Sequence, residues 1–139
     1  EMSGHFFLRE RCFGFAHGVS SAARLLEILA SDGRRPQESF DELPKGASTP
    51  ELKVQMEEGA HYAYIGKFAA AAQFDGAKIS NIDGIRADWP DGWGLVRCSN
   101  TTPCLVLRFD ADSEDALERI KHAFREQLLA VDPDLNLPF

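Results

Sequence analysis

The sequence predicts an α+β fold: an antiparallel sheet of four to five strands with two helices on one face, preceded by a helical segment. Three observations lead there. Short alternating runs are joined by tight-turn residues, at Asp83-Gly84 and at Pro90-Asp91-Gly92. Two longer runs, 61–74 and 114–131, repeat apolar residues at helical spacing. Helices set apart from hairpins, rather than alternating with single strands, indicate an antiparallel sheet covered on one side.

The elements follow in order. Residues 5–9 (HFFLR) read as a short strand, and a turn-rich stretch runs to Gly18. Val19, Ala22, Ala23, Leu25, Leu26 and Leu29 predict a helix over 19–30, stopped by Asp32-Gly33. Phe40 and Leu43 predict a short second helix over 36–43. Residues 44–50 (PKGASTP) combine two prolines, a glycine and small polar residues, and read as a linker with a domain boundary. Residues 51–56 alternate as a strand with Leu52, Val54 and Met56 on one face. The 61–74 helix presents Tyr64, Ile65, Phe68, Ala71 and Ala72 together. Strands are predicted at 77–82, 84–89, 93–98 and 104–111. Asp112-Ser113 is suited to cap a last helix over 114–131, with Leu117, Ile120, Phe124 and Leu128 facing inward. Pro133 follows it, and residues 134–139 show no period.

Composition narrows the function. The chain has 139 residues, 44% of them hydrophobic, enough for a packed core. A net charge of -7 without a basic run argues against nucleic acid as partner, because that binding rests on neutralising phosphates. No apolar run is long enough to span a bilayer, and no signal peptide is visible. Cys12, Cys98 and Cys104 have no metal-ligand spacing and read as reduced thiols, which gives a cytoplasmic expectation.

The stretch with the most chemistry is Arg97-Cys98-Ser99-Asn100-Thr101-Thr102-Pro103, a short link between two predicted strands. A guanidinium gives paired charge-assisted hydrogen bonds to phosphate, and hydroxyls, an amide and loop N–H groups supply the rest. Pro103 lacks an N–H and helps to end the loop.

This run resembles the phosphate-binding loop R-A/P-S-N-T-x-P of the α-D-phosphohexomutases. Glu1-Met2-Ser3-Gly4-His5 is similar to their sugar-recognition loop G-E-M-S-G-H, entered at its second letter. Asp83-Gly84-Ile85-Arg86 and Asp91-Gly92-Trp93-Gly94-Leu95-Val96 match as well, in the right order, so the likeness covers nearly the whole chain. Met2 resembles the phosphomannomutase/phosphoglucomutase branch; glutamine there is usual in phosphoglucosamine mutases.

The resemblance implies a sheet of the TATA-binding-protein-like type. Residues 1–44 become the end of a preceding α/β domain with the sugar-recognition loop, 45–50 a hinge linker, and 51–139 a C-terminal phosphate-binding domain. It implies that Arg97, Ser99, Asn100 and Thr101 hold a substrate phosphate, with Thr102 at the loop's variable position, and that Glu1, Ser3 and His5 read sugar hydroxyls. The implied reaction interconverts hexose 1-phosphate and hexose 6-phosphate, of glucose or mannose, through a hexose 1,6-bisphosphate. The family uses a phosphoserine and Mg2+, but its T-A-S-H-N-P and D-G-D-x-D-R loops are absent from this sequence. The chain is therefore expected to be a fragment, inert alone, whose partners are the phosphosugar and upstream domains of the same polypeptide. The alternatives are a phosphoglucosamine mutase and a non-catalytic sugar-phosphate-binding module.

Other residues read as structural. Cys98 is expected to turn into the core as a small hydrophobe, with no histidine near it in sequence to activate it. Arg86 reads as a solvated strand charge, and Trp89 and Trp93 as packing residues. His17, His61 and His122 lie apart without ligand spacing and read as non-functional. Glu114, Asp115, Glu118 and Glu126 form a solvated helix face.

Overall fold

A computed structural model describes residues 5–139 and divides at Pro44 and Lys45 into two compact units. The first carries α1 (Gly18–Asp32) and α2 (Pro36–Asp41). His17 caps α1, its Nδ1 accepting from the Ser20 N–H at 3.3 Å, and Gly33 closes the helix at a φ of 71°. The strand expected over 5–9 does not form. Phe7 makes one isolated bridge to Ala16, and the Gly14 N–H donates to the Leu8 carbonyl at 3.1 Å. Gly14 turns the chain at a φ of 78°, so the bridge does not grow into a ladder.

None of residues 5–44 is buried, and Phe13 is 93% exposed. What joins these segments is a set of surface ion pairs. Arg24 reaches Glu10 at 2.8 Å and Glu27 at 3.1 Å, and Arg34 bridges Asp32 and Glu42. Hydrogen bonds from Arg34 hold both those carboxyls below the usual carboxylate range. Exposed pairs of this kind contribute little against the entropy of ordering a chain.

The second unit holds the core. Its six strands are β1 (Ala47–Ser48), β2 (Leu52–Gln55), β3 (Lys78–Ser80), β4 (Ile85–Trp89), β5 (Gly92–Cys98) and β6 (Cys104–Ala111). The helices are α3 (Ala60–Ala71) and α4 (Glu114–Val131). The sheet is antiparallel, in the order β1-β6-β5-β4-β3, with β2 also paired to β6. β1 takes Asp110 and Ala111 while β2 takes Cys104 to Leu107, so the two share one edge of β6 and the sheet is five strands wide. This gives the expected α+β class one strand more than the sequence suggested.

The extra strand comes from the segment read as a linker. Ala47 is buried, and the Thr49 N–H donates to the Phe109 carbonyl at 3.0 Å while Thr49 Oγ1 accepts from the Phe109 N–H at 3.1 Å. Prolines at 44 and 50 bound the segment without preventing its middle from pairing at an edge.

β5 turns Gly94, Val96 and Cys98 toward the helices, and β6 turns Leu105, Leu107, Phe109 and Ala111. The four α4 positions expected inward, Leu117, Ile120, Phe124 and Leu128, are all buried, and Ser113 Oγ caps the helix by accepting from the Ala116 N–H at 3.2 Å. Phe124 is the aromatic hub, its ring centre 4.4 Å from Phe74 and 5.3 Å from Phe109, with Trp89 edge-on at 6.4 Å. Gly94 lies under that ring: a Cβ there would come within 2.4 Å of Phe124 Cε2. Tyr64 ties α3 to α4 by donating to the Leu128 carbonyl at 2.7 Å. The tail without a period packs too, Phe139 reaching Phe109 at 4.9 Å between ring centres.

The β3–β4 turn is longer than the two-residue Asp83-Gly84 hairpin. Pairing ends at Ser80 with Arg86, and Ile85 pairs instead with Val96 of β5. Gly84, at a φ of 71°, lies against β5 so closely that a Cβ would fall 2.1 Å from the Val96 carbonyl oxygen. Ile82 is left exposed in the loop.

Two outcomes follow. Phe124→Ala should destabilise the second unit by about 3–5 kcal/mol, read by urea unfolding with tryptophan fluorescence. Amide hydrogen exchange should be fast across residues 5–44 and slow in β5, β6 and α4; slow exchange throughout α1 would contradict the surface-pair account.

Candidate functional site

The β5–β6 connection, residues 99–103, forms where the ladder ends. The last pair is Cys98 with Leu105, and the Ser99 N–H then donates to the Cys104 carbonyl at 3.0 Å. Ser99 is itself buried, and its Oγ is the organiser of the loop. It accepts from the Thr101 N–H at 3.3 Å and from the Thr102 N–H at 3.2 Å, and lies 3.0 Å from Thr102 Oγ1. The Pro103 carbonyl accepts from the Met56 N–H at 2.9 Å, which ties the loop to the end of β2. Asn100, Thr101 and Thr102 are exposed.

Arg97 lies on the helix-free face of the sheet, between Val96 and Cys98 on the buried face. Its Nη1 donates to the Cys98 carbonyl at 3.2 Å and stands 3.9 Å from Asp83 Oδ2. The fold therefore gathers Arg97, Ser99, Asn100, Thr101 and Thr102 at one sheet end. His5 belongs to the first unit and is exposed. Glu1 and Ser3 lie outside the described residues.

Opposite the loop is the first turn of α3. Glu58, His61, Tyr62 and residues 99–103 line one recess of about 100 Å³. Cys98 is buried as expected, and its Sγ donates to the His61 carbonyl at 3.2 Å, so the fold supplies the histidine that sequence proximity did not. The contact is to main chain, and burial together with the Asp83 carboxylate pushes the thiol pKa up, which suits packing rather than nucleophilic chemistry.

The structure adds Asp83 and His61 to the surroundings of Arg97 and the loop, and sets Arg108 on the same face as Arg97. Arg108 pairs across from Leu95, diagonal to Arg97 on the same face, and its Nη1 is buried with no hydrogen-bond partner among the described residues. A lone arginine in an alternating strand carries no sequence signal for this. Arg86 is paired with Asp88 at 2.7 Å and covers the Trp93 ring at 4.0 Å, a structural use of both. A larger recess of about 330 Å³ beside Trp89 is a weaker candidate. Its guanidinium, Arg119, is taken by Asp91, and the Trp89 Nε1–H by the Asp75 carbonyl.

With this geometry in hand, likeness to known proteins becomes informative. Residues 51–127 match the family model described as phosphoglucomutase/phosphomannomutase, C-terminal domain. The chain belongs to this family. A phosphomannomutase/phosphoglucomutase of Pseudomonas aeruginosa is 53% identical over 139 residues, covering 100% of this chain and 30% of that protein. A phosphoglucomutase of Neisseria gonorrhoeae is 52% identical over 127 residues, 90% of this chain and 27% of its own. A crystal structure of a phosphoglucomutase/phosphomannomutase family protein from Burkholderia thailandensis superposes with a TM-score of 0.84 at 48% identity, covering 100% of this chain and 29% of that one. The chain thus spans under a third of the length of these relatives, at their C-terminal domain.

The Mg2+ that the family resemblance implies does not fit the residues present: no group of three or more His, Cys, Asp or Glu among the described residues could hold a metal ion. No helix among them is long and apolar enough to cross a membrane.

Ser99→Ala should loosen the loop without unfolding the unit, since one hydroxyl satisfies two loop N–H groups. We expect a loss of about 1–2 kcal/mol and faster amide exchange at Thr101 and Thr102, with β5 and α4 unchanged.

Proposed function

We propose that this chain supplies phosphate and sugar recognition to a phosphohexomutase. The whole enzyme would interconvert hexose 1-phosphate and hexose 6-phosphate, of glucose or mannose, through a bisphosphorylated sugar. One observation carries the reading: a loop organised by Ser99 leaves Asn100, Thr101 and Thr102 exposed directly after Arg97 at the end of β5, in a chain of the phosphoglucomutase/phosphomannomutase family.

Arg97 would give charge-assisted hydrogen bonds to the phosphate that is not reacting, and Asn100, Thr101 and Thr102 would complete its shell. Glu1, Ser3 and His5 would read sugar hydroxyls. Binding energy from a remote phosphate orients the reacting end of the substrate. A bisphosphate offers the same group at either end, so a loop that recognises phosphate alone accepts both orientations. The phosphoryl donor and metal chemistry are assigned to other domains of the whole enzyme, because the family's phosphoserine and metal loops do not occur in this sequence.

Residues 1–44 are taken as the end of a preceding domain, and 51–139 as the phosphate-binding domain. The pairing of Ala47, Ser48 and Thr49 with β6 supports a pivot at Pro44 and Lys45 in place of one across 45–50. The gluco- and mannomutase names of the relatives favour those sugars over glucosamine.

An NMR titration with glucose 1-phosphate tests the reading. Shifts centred on residues 97–102, lost in Arg97→Ala, are expected, together with no mutase turnover by the pure chain. Identical titrations of the two proteins would overturn the site, and turnover by the chain alone would overturn the division of labour.

A further inference from the structure

The recess between the loop and α3 holds a group that the proposed site leaves unused. His61 is 2% exposed, yet its Nδ1 has no hydrogen-bond partner among the described residues. A buried polar nitrogen left unpaired is costly, and native folds satisfy such atoms with protein, water or ligand. The position of His61 is well fixed. Its carbonyl accepts from Cys98 Sγ at 3.2 Å, directly before the loop, and its ring lies 4.1 Å from the Tyr62 ring. Fixing the backbone in this way leaves the imidazole nitrogen free for another use.

Hydrogen-bond donors meet at the recess, beside one carboxylate, Glu58, that also lines it. His61 stands in the first turn of α3, where main-chain N–H groups lack helical acceptors and the helix dipole is positive. The residue before that helix is Gly59, which has no side chain to cap those groups, and no acidic residue lies in the first turn. Across the recess are Ser99, Asn100, Thr101 and Thr102. The loop thus forms one wall, and the helix end with His61 forms the other.

We propose that His61 is a further phosphate-binding residue, its ring turning as the ligand enters so that Nδ1–H, buried in the free protein, donates to an oxygen of the phosphate held by the 99–103 loop. This rests on the reading of the loop as a phosphate site. It adds a second wall drawn from α3, 37 residues away in sequence from Cys98. His61 then anchors the phosphate from the helix side while Arg97 approaches from the helix-free face.

The test is a titration of the chain, labelled with 15N, with inorganic phosphate and then glucose 1-phosphate. The His61 imidazole and the loop amides are followed together. The Nδ1 resonance should move and saturate in step with Asn100 to Thr102. His61→Phe should weaken binding roughly tenfold or more, as expected for a lost hydrogen bond to a charged group. His61→Asn, which keeps a donor near the Nδ1 position, should restore most of it and guards against misfolding of the phenylalanine variant. If loop amides shift and Arg97→Ala abolishes binding, but Nδ1 stays still and His61→Phe binds normally, His61 is structural and this inference alone fails. If wild-type protein shows no shift with either ligand at tens of millimolar, the loop reading fails and this inference with it.

Discussion

The pairing of β5 with β6, from Gly92 opposite Ala111 to Cys98 opposite Leu105, is the constraint on which the core and the loop both depend. It decides which side chains meet the helices and which face away. With this register Gly94, Val96 and Cys98 face Phe124 and α3, and Arg97 faces out. A slip of one residue would bury the Arg97 guanidinium and expose Val96, so the hydrophobic pattern itself holds the register. Two close approaches tighten it. Gly94 leaves room for the Phe124 ring, and Gly84 lets the β3–β4 loop lie on β5 beside Arg97. Larger residues at either place would push β5 away from its neighbours and move the loop with it.

The elements that were legible in the sequence are those whose signal is local. α4 shows its cap at Ser113 and its buried face at helical spacing, and β2, β5 and β6 alternate or run apolar as expected. What could not be read depends on contacts between distant residues. β1 is two residues of linker-like composition made a strand by the free edge of β6. The 5–9 segment has strand-forming residues but no partner beyond one bridge. The β3–β4 turn is lengthened because Gly84 is held by β5, a contact that a turn dipeptide does not encode.

The candidate site divides in the same way. Arg97, Ser99, Asn100, Thr101 and Thr102 are contiguous, so a motif shows them together. Asp83 and His61 come to the loop from other elements, and nothing in their local sequence marks them. His61 read as an isolated histidine because its nearness to the loop arises only when α3 packs beside the end of β5. The residues of the first unit expected to read sugar present a different case: His5 is exposed, and the likeness of Glu1 to His5 to a sugar-recognition loop is a matter of sequence alone.

Within the loop, shape and recognition fall to different residues. Ser99 is buried and spends its hydroxyl on the N–H groups of Thr101 and Thr102, so the backbone conformation is set before any ligand arrives. Asn100, Thr101 and Thr102 are exposed, leaving an amide and hydroxyls that rotate to meet an acceptor. A preformed loop gives up less entropy on binding, which favours affinity for a small group such as phosphate. In the proposed phosphate site it would also leave recognition indifferent to what the phosphate is attached to, since the fixed part of the loop addresses its own backbone and the adaptable part would address oxygens. In the proposed reaction that indifference is required. The same pocket must take the phosphate on carbon 1 in one half of the cycle and on carbon 6 in the other, and discrimination between sugars must then come from residues elsewhere.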